Sequence, residues 1–252
     1  MIKAFIITTI AGLSTIVGAL FIFLKIEQSR VNMFITYTLS LSAAIMIGIS
    51  ITDLIPSSFF NIIYYKGVKV GQYLIFFIVI ISYMLTSYLI KLTDKIKEED
   101  LYKTGILCTF SLLAHNLPEG IAVFITSVQD NTLGIKLATS IIMHNIPEGL
   151  IIAIPIYYAT KSRTKAIMMA AFAGLAEPLG ALITYWFLQD IINMLFIDSI
   201  LLFVGIMMVT LAIKEIFSKA ESYNEQRSLI KGFITGLLII LLNIIFSIYI
   251  SF

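Results

Sequence analysis

Eight apolar runs in this chain are each long enough to cross a lipid bilayer as a helix. A transmembrane helix needs about 20 predominantly apolar residues, and the runs cover about residues 4–24, 34–55, 72–92, 104–128, 132–160, 166–189, 196–216 and 229–251. Few residues lie outside them, and 59% of the 252 residues are hydrophobic against 13% charged, which excludes a soluble globular protein. We therefore predict an all-α, polytopic membrane protein with a single transmembrane domain over residues 1–252.

The first run follows Lys3 and has an alternative interpretation as a signal peptide. It has no clear small-x-small cleavage site before Lys25, and its length of about 21 residues is typical of a membrane span. We therefore interpret it as the first of eight spans.

The basic residues predict how the spans are oriented, because positively charged loops stay in the cytoplasm. Connectors after the first, third, fifth and seventh runs, with the adjoining span ends, hold 13 of the 17 Lys and Arg residues. The remaining four are Lys3, Lys66, Lys69 and Lys136. We therefore predict a multi-pass protein of the cell membrane with both termini outside and the 91–103 connector in the cytoplasm.

Several classes of function are excluded by what the sequence lacks. A net charge of +2 is too small to indicate a nucleic-acid partner. There is no GxxxxGK[ST] loop to bind a nucleotide. The lone Cys108 lies in an apolar run and carries no redox signal.

Four acidic residues are embedded in the apolar runs: Asp53, Glu119, Glu148 and Glu177. Each charge near the bilayer centre costs roughly 2.5–3.5 kcal/mol, so such residues are expected to be functional. The alternative for any one of them is a protonated carboxyl group that is hydrogen-bonded between helices.

A repeated motif favours function over that alternative. The fourth run contains HNLPEG at residues 115–120, the fifth contains HNIPEG at residues 144–149, and the only two histidines of the chain lie in these motifs. At about 100° per residue, the histidine and glutamate of each motif lie one helical turn apart on one face. Imidazole and carboxylate groups together are ligands for divalent transition metals.

The positions along the helices place these groups at one depth. His115 and His144 each lie about 20 Å from the turn that joins the fourth and fifth spans, and Glu177 lies about 18 Å from Lys165. Both distances are close to the middle of a bilayer core about 30 Å thick. Pro118, Pro147 and Pro178 each adjoin one of the glutamates and free a backbone carbonyl nearby.

These motifs, followed by AEPLGA at residues 176–181, resemble the ZIP (Zrt/Irt-like) family of metal-ion transporters and, within it, the bacterial zinc-uptake (ZupT-like) branch. The stretches AGLSTIVGA at 11–19 and SAAIMIGISITDLIP at 42–56 are similar to the first two spans of that branch. The resemblance implies eight spans, outer termini and two adjacent metal sites. The first would use His115, Glu119, His144 and Glu148, and the second Asn116, Asn145 and Glu177 with Glu119 and Glu148 as bridges.

The function that follows from the resemblance is uptake of divalent transition metal ions, zinc first and then iron, manganese, cobalt or cadmium, as substrates and not as resident cofactors. The resemblance also implies a homodimer. Many members have a histidine-rich loop between the third and fourth spans and further ligands on the second span. Here the loop has no histidine, and the second span offers only Asp53, which we place at the outer mouth.

Two other classes stay open at this point. An intramembrane metalloenzyme could use a dinuclear His/Glu centre to activate water, but the chain lacks both HExxH and the ExxH of di-iron bundles. A metal sensor or receptor would need an output domain, which the chain does not offer. We therefore expect a transporter and not an enzyme.

Overall fold

Helices form nearly all of the structure. The computed structural model describes residues 1–93, 100–188 and 193–250, and these ranges contain no β-strand. The prediction of eight helices long and apolar enough to cross a membrane is confirmed. Numbered in chain order, spans 1 to 8 are Ile2–Phe23, Val31–Lys66, Val68–Leu92, Leu101–Gln129, Asn131–Thr160, Arg163–Phe187, Met194–Ser222 and Gln226–Ile245.

Span 2 is longer than predicted, because its helix continues past residue 55 to Lys66. It consists of an α-helix Val31–Ile49, a π-helical segment Ser50–Leu54 and an α-helix Ile55–Lys66. Pro56 lies in the first turn of the last helix, directly after the π-helical segment, at a position where proline is tolerated. The proline therefore follows the wider π turn instead of ending the span.

Two later spans also depart from regular α-helix. Span 6 is interrupted at Leu175, between the helices Arg163–Gly174 and Ala176–Ile183. Span 7 contains a π-helical segment, Ala212–Phe217, and ends at Ser222 instead of the predicted 216. Lys214 lies in this π-helical segment, about two turns before the end of the span. The predicted ends at 189 and 251 fall outside the described residues.

The spans pack in two groups. Spans 1, 4, 5 and 6 all contact one another, and span 2 packs on spans 7 and 8 while span 3 packs on spans 2 and 7. The groups meet mainly where span 2 contacts span 5 and where span 4 contacts span 7. Spans 3 and 8 are mostly exposed, as expected for helices that face lipid.

The largest apolar cluster fills one half of this bundle. It includes Ile22, Leu39, Leu112, Ile154 and Leu211, all of which are almost fully buried. These residues lie toward the connectors that follow spans 1, 3, 5 and 7 and hold most of the basic residues. We call this side of the bundle the basic end. The repeated motifs lie on the other side of this cluster, near mid-span.

Candidate metal centre

The two histidines and the two motif glutamates meet between spans 4 and 5. The Nε2 atom of His115 lies 3.2 Å from Glu119 Oε1 and 3.4 Å from Glu148 Oε1. The Nε2 atom of His144 lies 3.1 Å from Glu119 Oε1. Ligand atoms of His115, His144 and Glu148 all lie within 4.8 Å of one another, close enough to hold one metal ion. The four side chains are at most 4% exposed.

The backbone of neighbouring spans orients the two motif asparagines. Asn116 donates from Nδ2 to the carbonyl oxygen of Ala173 in span 6, at 3.2 Å. Asn145 donates to the carbonyl oxygen of Ala11 in span 1, at 2.9 Å, and also to Glu177 Oε1. Each amide nitrogen is thereby occupied by a hydrogen-bond acceptor, which fixes the orientation of the amide group. The Oδ1 atoms of both residues are buried and have no hydrogen-bond partner, as expected for oxygens that coordinate a cation.

Glu177 reaches the centre from span 6, just past the interruption at Leu175. It lies in the first turn of the helix Ala176–Ile183 and is fully buried. A Cβ atom at Gly120 would overlap the backbone of Glu177, so only glycine allows spans 4 and 6 to approach this closely. The repeated motif therefore supplies both ligands and the space for the third glutamate.

Some buried oxygen atoms at this centre have no hydrogen-bond donor. A bound cation would compensate them, so they indicate whether a cation fits here. The Oε2 atoms of Glu148 and Glu177 are buried without a hydrogen bond, and the only contact of Glu148 Oε1 among the described residues is the imidazole of His115, at 3.4 Å. Burying unpaired carboxylate oxygens is costly unless a proton or a cation compensates them. Imidazole nitrogens, amide oxygens and carboxylates form a donor set that suits Zn²⁺ and related transition metals.

A cavity of about 170 Å³ lies beside the centre, on the side away from the basic end. Its polar lining includes Thr52 and Asp53 from the π-helical segment of span 2, Ser140 from span 5 and Asn243 from span 8. Ser140 lies one helical turn before His144. Asp53 is exposed to this space and interacts electrostatically with His144 and Glu119. The cavity is large enough for a hydrated ion.

The structure brings the two histidines and the two motif glutamates together and places Asn145 against Glu177. It places Asn116 against Ala173 of span 6 and Asp53 in the neighbouring cavity. Asn243, which donates to the thioether sulfur of Met143 at 3.4 Å, was not among the predicted residues. It is a lone amide in the apolar run LLIILLNII, and a search for all polar residues within the spans would have found it. The carbonyl groups of Ala11 and Ala173 leave no signal in the sequence.

Eight membrane-crossing helices around a buried centre of imidazole, amide and carboxylate ligands define a membrane protein that handles divalent metal ions. A family model described as ZIP Zinc transporter matches residues 93–242. The chain is 34% identical to "Zinc transporter ZupT" of Streptococcus mutans and 29% identical to "Zinc transporter ZupT" of Clostridium perfringens. These matches cover 97% of this chain with 97% of the first relative and 96% of the second.

The chain therefore belongs to the ZIP family. Membership makes it a multi-pass transporter of the cell membrane and not an enzyme, as predicted.

Proposed function

We propose that the protein takes up Zn²⁺ into the cytoplasm through a binuclear site at mid-span. The observation that carries the proposal is the buried centre itself, in which the ligand atoms of His115, His144 and Glu148 converge within 4.8 Å. The curated relatives are named as zinc transporters, which supports zinc as the substrate. Fe²⁺, Mn²⁺, Co²⁺ and Cd²⁺ accept the same donors and are proposed as further substrates.

The proposed division of the ligands follows from the distances. Glu119 contacts both imidazoles within 3.2 Å, so it belongs to the first site with His115 and His144. Glu177 accepts a hydrogen bond from Asn145 and interacts electrostatically with Glu119 and Glu148, so we assign it to the second site. Because a carboxylate has two oxygens, Glu119 and Glu148 are proposed to bridge the two ions.

The apolar cluster indicates which side of the centre is open. The 170 Å³ cavity adjoins the centre on one side, whereas close-packed apolar side chains lie on the other, toward the basic end. We propose that the cavity side faces outward, as the charge bias predicts. Ions then enter past Asp53, and release into the cytoplasm requires the apolar layer to open. A membrane potential of 100 mV, inside negative, drives a divalent ion inward by about 4.6 kcal/mol.

Uptake by purified protein in liposomes tests the proposal. Liposomes that hold a zinc-sensitive dye should show Zn²⁺ entry that Cd²⁺, Fe²⁺ and Mn²⁺ inhibit and millimolar Mg²⁺ does not, because Mg²⁺ prefers oxygen ligands and retains its water. Glu119→Ala should abolish entry. Glu221→Ala, which removes an exposed carboxylate near the end of span 7, is the matched control and should transport normally. Near-normal uptake by Glu119→Ala, or a strong block by Mg²⁺, would contradict the assignment.

The same experiment separates transport from the metalloenzyme alternative, since only a carrier moves ions without chemical change of a second substrate. The family assignment does not favour the enzyme. A homodimer, implied by the family resemblance, is also part of the proposal. Light scattering of the detergent-solubilised protein, corrected for bound detergent, should give twice the 28.2 kDa of one chain.

A further inference from the structure

A second polar cluster lies on the lipid-facing surface between spans 3 and 7, away from the metal centre. The ammonium group of Lys214 donates to Tyr83 Oη and to Ser87 Oγ, both at 2.9 Å, and lies 4.2 Å from the centroid of the Tyr83 ring. Lys214 is exposed, and within the described ranges it makes no ion pair. The span therefore presents an uncompensated positive charge to the surrounding lipid, which is costly.

The groups around this charge still have hydrogens to donate. Tyr83 and Ser87 each accept a hydrogen bond from Lys214, and their hydroxyl groups also hydrogen-bond to each other, which leaves one ammonium N–H and one hydroxyl hydrogen without an acceptor. Many other hydroxyl side chains of this chain, such as Thr86 and Thr109, donate to the backbone carbonyl four residues earlier. Ser87 makes no such bond. One ammonium N–H and one O–H group of this cluster are therefore available to an oxygen atom of a phosphate group.

The depth of the cluster brings it within reach of a lipid headgroup. Span 3 has 25 residues and is about 38 Å long, so each end extends about 4 Å beyond a 30 Å bilayer core. Ser87 lies five residues before Leu92, about 8 Å from the basic end of the span. The ammonium group is held close to Ser87 Oγ, and it is therefore only about 4 Å inside the edge of the core.

A second lysine extends the cluster toward that edge. Lys91 lies one helical turn beyond Ser87, so Tyr83, Ser87 and Lys91 share one face of span 3 at intervals of four residues. Lys91 is exposed and lies at the end of the span, at the level of the headgroups. A phosphate group near Ser87 would have Lys214 on one side and Lys91 on the other.

We propose that the groove formed by Tyr83, Ser87, Lys91 and Lys214 binds one anionic phospholipid, whose phosphate compensates Lys214. The ligand is a lipid because the site opens sideways into the bilayer and lies below the headgroup level, where dissolved phosphate is scarce. The two acyl chains would lie along the exposed apolar surfaces of spans 3 and 7, which include Ile80, Met84 and Ile213. The bound lipid would link these two spans.

Native mass spectrometry of the full-length protein with added phosphatidylglycerol or phosphatidylcholine tests this proposal. Wild-type protein should bind one phosphatidylglycerol molecule more tightly than any phosphatidylcholine. Lys214→Gln should weaken that binding at least about tenfold, because it removes a charge-assisted contact. The double variant Tyr83→Phe with Ser87→Ala keeps the charge and should weaken it severalfold.

Lys231→Gln is the matched control, since it removes an exposed lysine at the basic end of span 8 whose ammonium group donates to no hydroxyl group within the described residues. It should bind phosphatidylglycerol as the wild type does. Thermal unfolding in detergent verifies that each variant is folded. Equal phosphatidylglycerol affinity in wild type and Lys214→Gln would overturn the proposal, and so would equal weakening by Lys231→Gln. Displacement of the lipid by millimolar inorganic phosphate would show a phosphate-ion site instead.

Discussion

Replacing Glu177 by glutamine should stabilise the metal-free protein while it weakens metal binding. Glu177 is fully buried, its Oε2 atom has no hydrogen-bond partner, and the charges of Glu119 and Glu148 lie close enough to repel it. Glutamine keeps the shape and still accepts the hydrogen bond from Asn145. It removes the charge, whose burial costs roughly 2.5–3.5 kcal/mol at mid-bilayer by insertion scales.

The expected gain is smaller than that figure, because an amide group is also costly to bury. We expect about 1–2 kcal/mol of added stability, which corresponds to a rise of about 2–8 °C in the unfolding temperature for a chain of this size. A bound ion at 100 times its Kd adds about 2.7 kcal/mol per site. With the second site weakened, Glu177→Gln should lose about half of the zinc-induced stabilisation.

Thermal unfolding in detergent, with a chelator and then with excess Zn²⁺, measures both effects in one series. Glu221→Gln removes an exposed carboxylate at the basic end and should match the wild type in both conditions. A lower unfolding temperature for the chelated Glu177→Gln variant would refute the argument that this carboxylate is retained at the expense of stability. An unchanged response to Zn²⁺ would refute its role as a ligand.

Three further changes probe the packing, the topology and the entrance. Gly120→Ala should reduce Zn²⁺ uptake strongly and destabilise the protein by about 1–3 kcal/mol, because its methyl group would overlap a backbone. Gly205→Ala would approach side-chain atoms of Ile55 at 3.0 Å and of Leu54 at 3.3 Å without overlapping a backbone, and should be affected much less in the same two assays. Single cysteines at Thr132 and Ala159 should be labelled by an impermeant maleimide from opposite sides of intact cells, with residue 132 outside, and labelling of both from one side would contradict the eight-span topology. Asp53→Asn should mainly raise the KM for Zn²⁺, as expected for a charge that attracts cations at the entrance, and an effect on kcat alone would count against that role.

The sequence predicted the number of spans and the paired ligands because both are local patterns. Hydrophobic length identifies a span without reference to any other part of the chain. The HNxPEG motif occurs twice, so its spacing on a helix predicted that His115 and Glu119 share a face, as His144 and Glu148 do. The structure places these four residues at one centre.

The features that the sequence did not predict depend on distant contacts. The acceptor for Asn145 is the backbone carbonyl of Ala11, 134 residues earlier, and every residue has such a carbonyl. Only the three-dimensional packing of span 1 on span 5 singles it out. Likewise, the π-helical segment Ser50–Leu54 adds no residue type that a hydropathy pattern would detect. It nevertheless places Thr52 and Asp53 on the cavity.

The interruption of span 6 at Leu175 affects how long an ion stays bound. A new helix starts at Ala176, and its amino-terminal end carries a partial positive charge of about half a unit. That partial charge stabilises the ionised form of the Glu177 side chain, but it repels a cation bound to the same carboxylate. We therefore expect an ion to leave the proposed second site sooner than it would leave the same ligands without a helix end beside them.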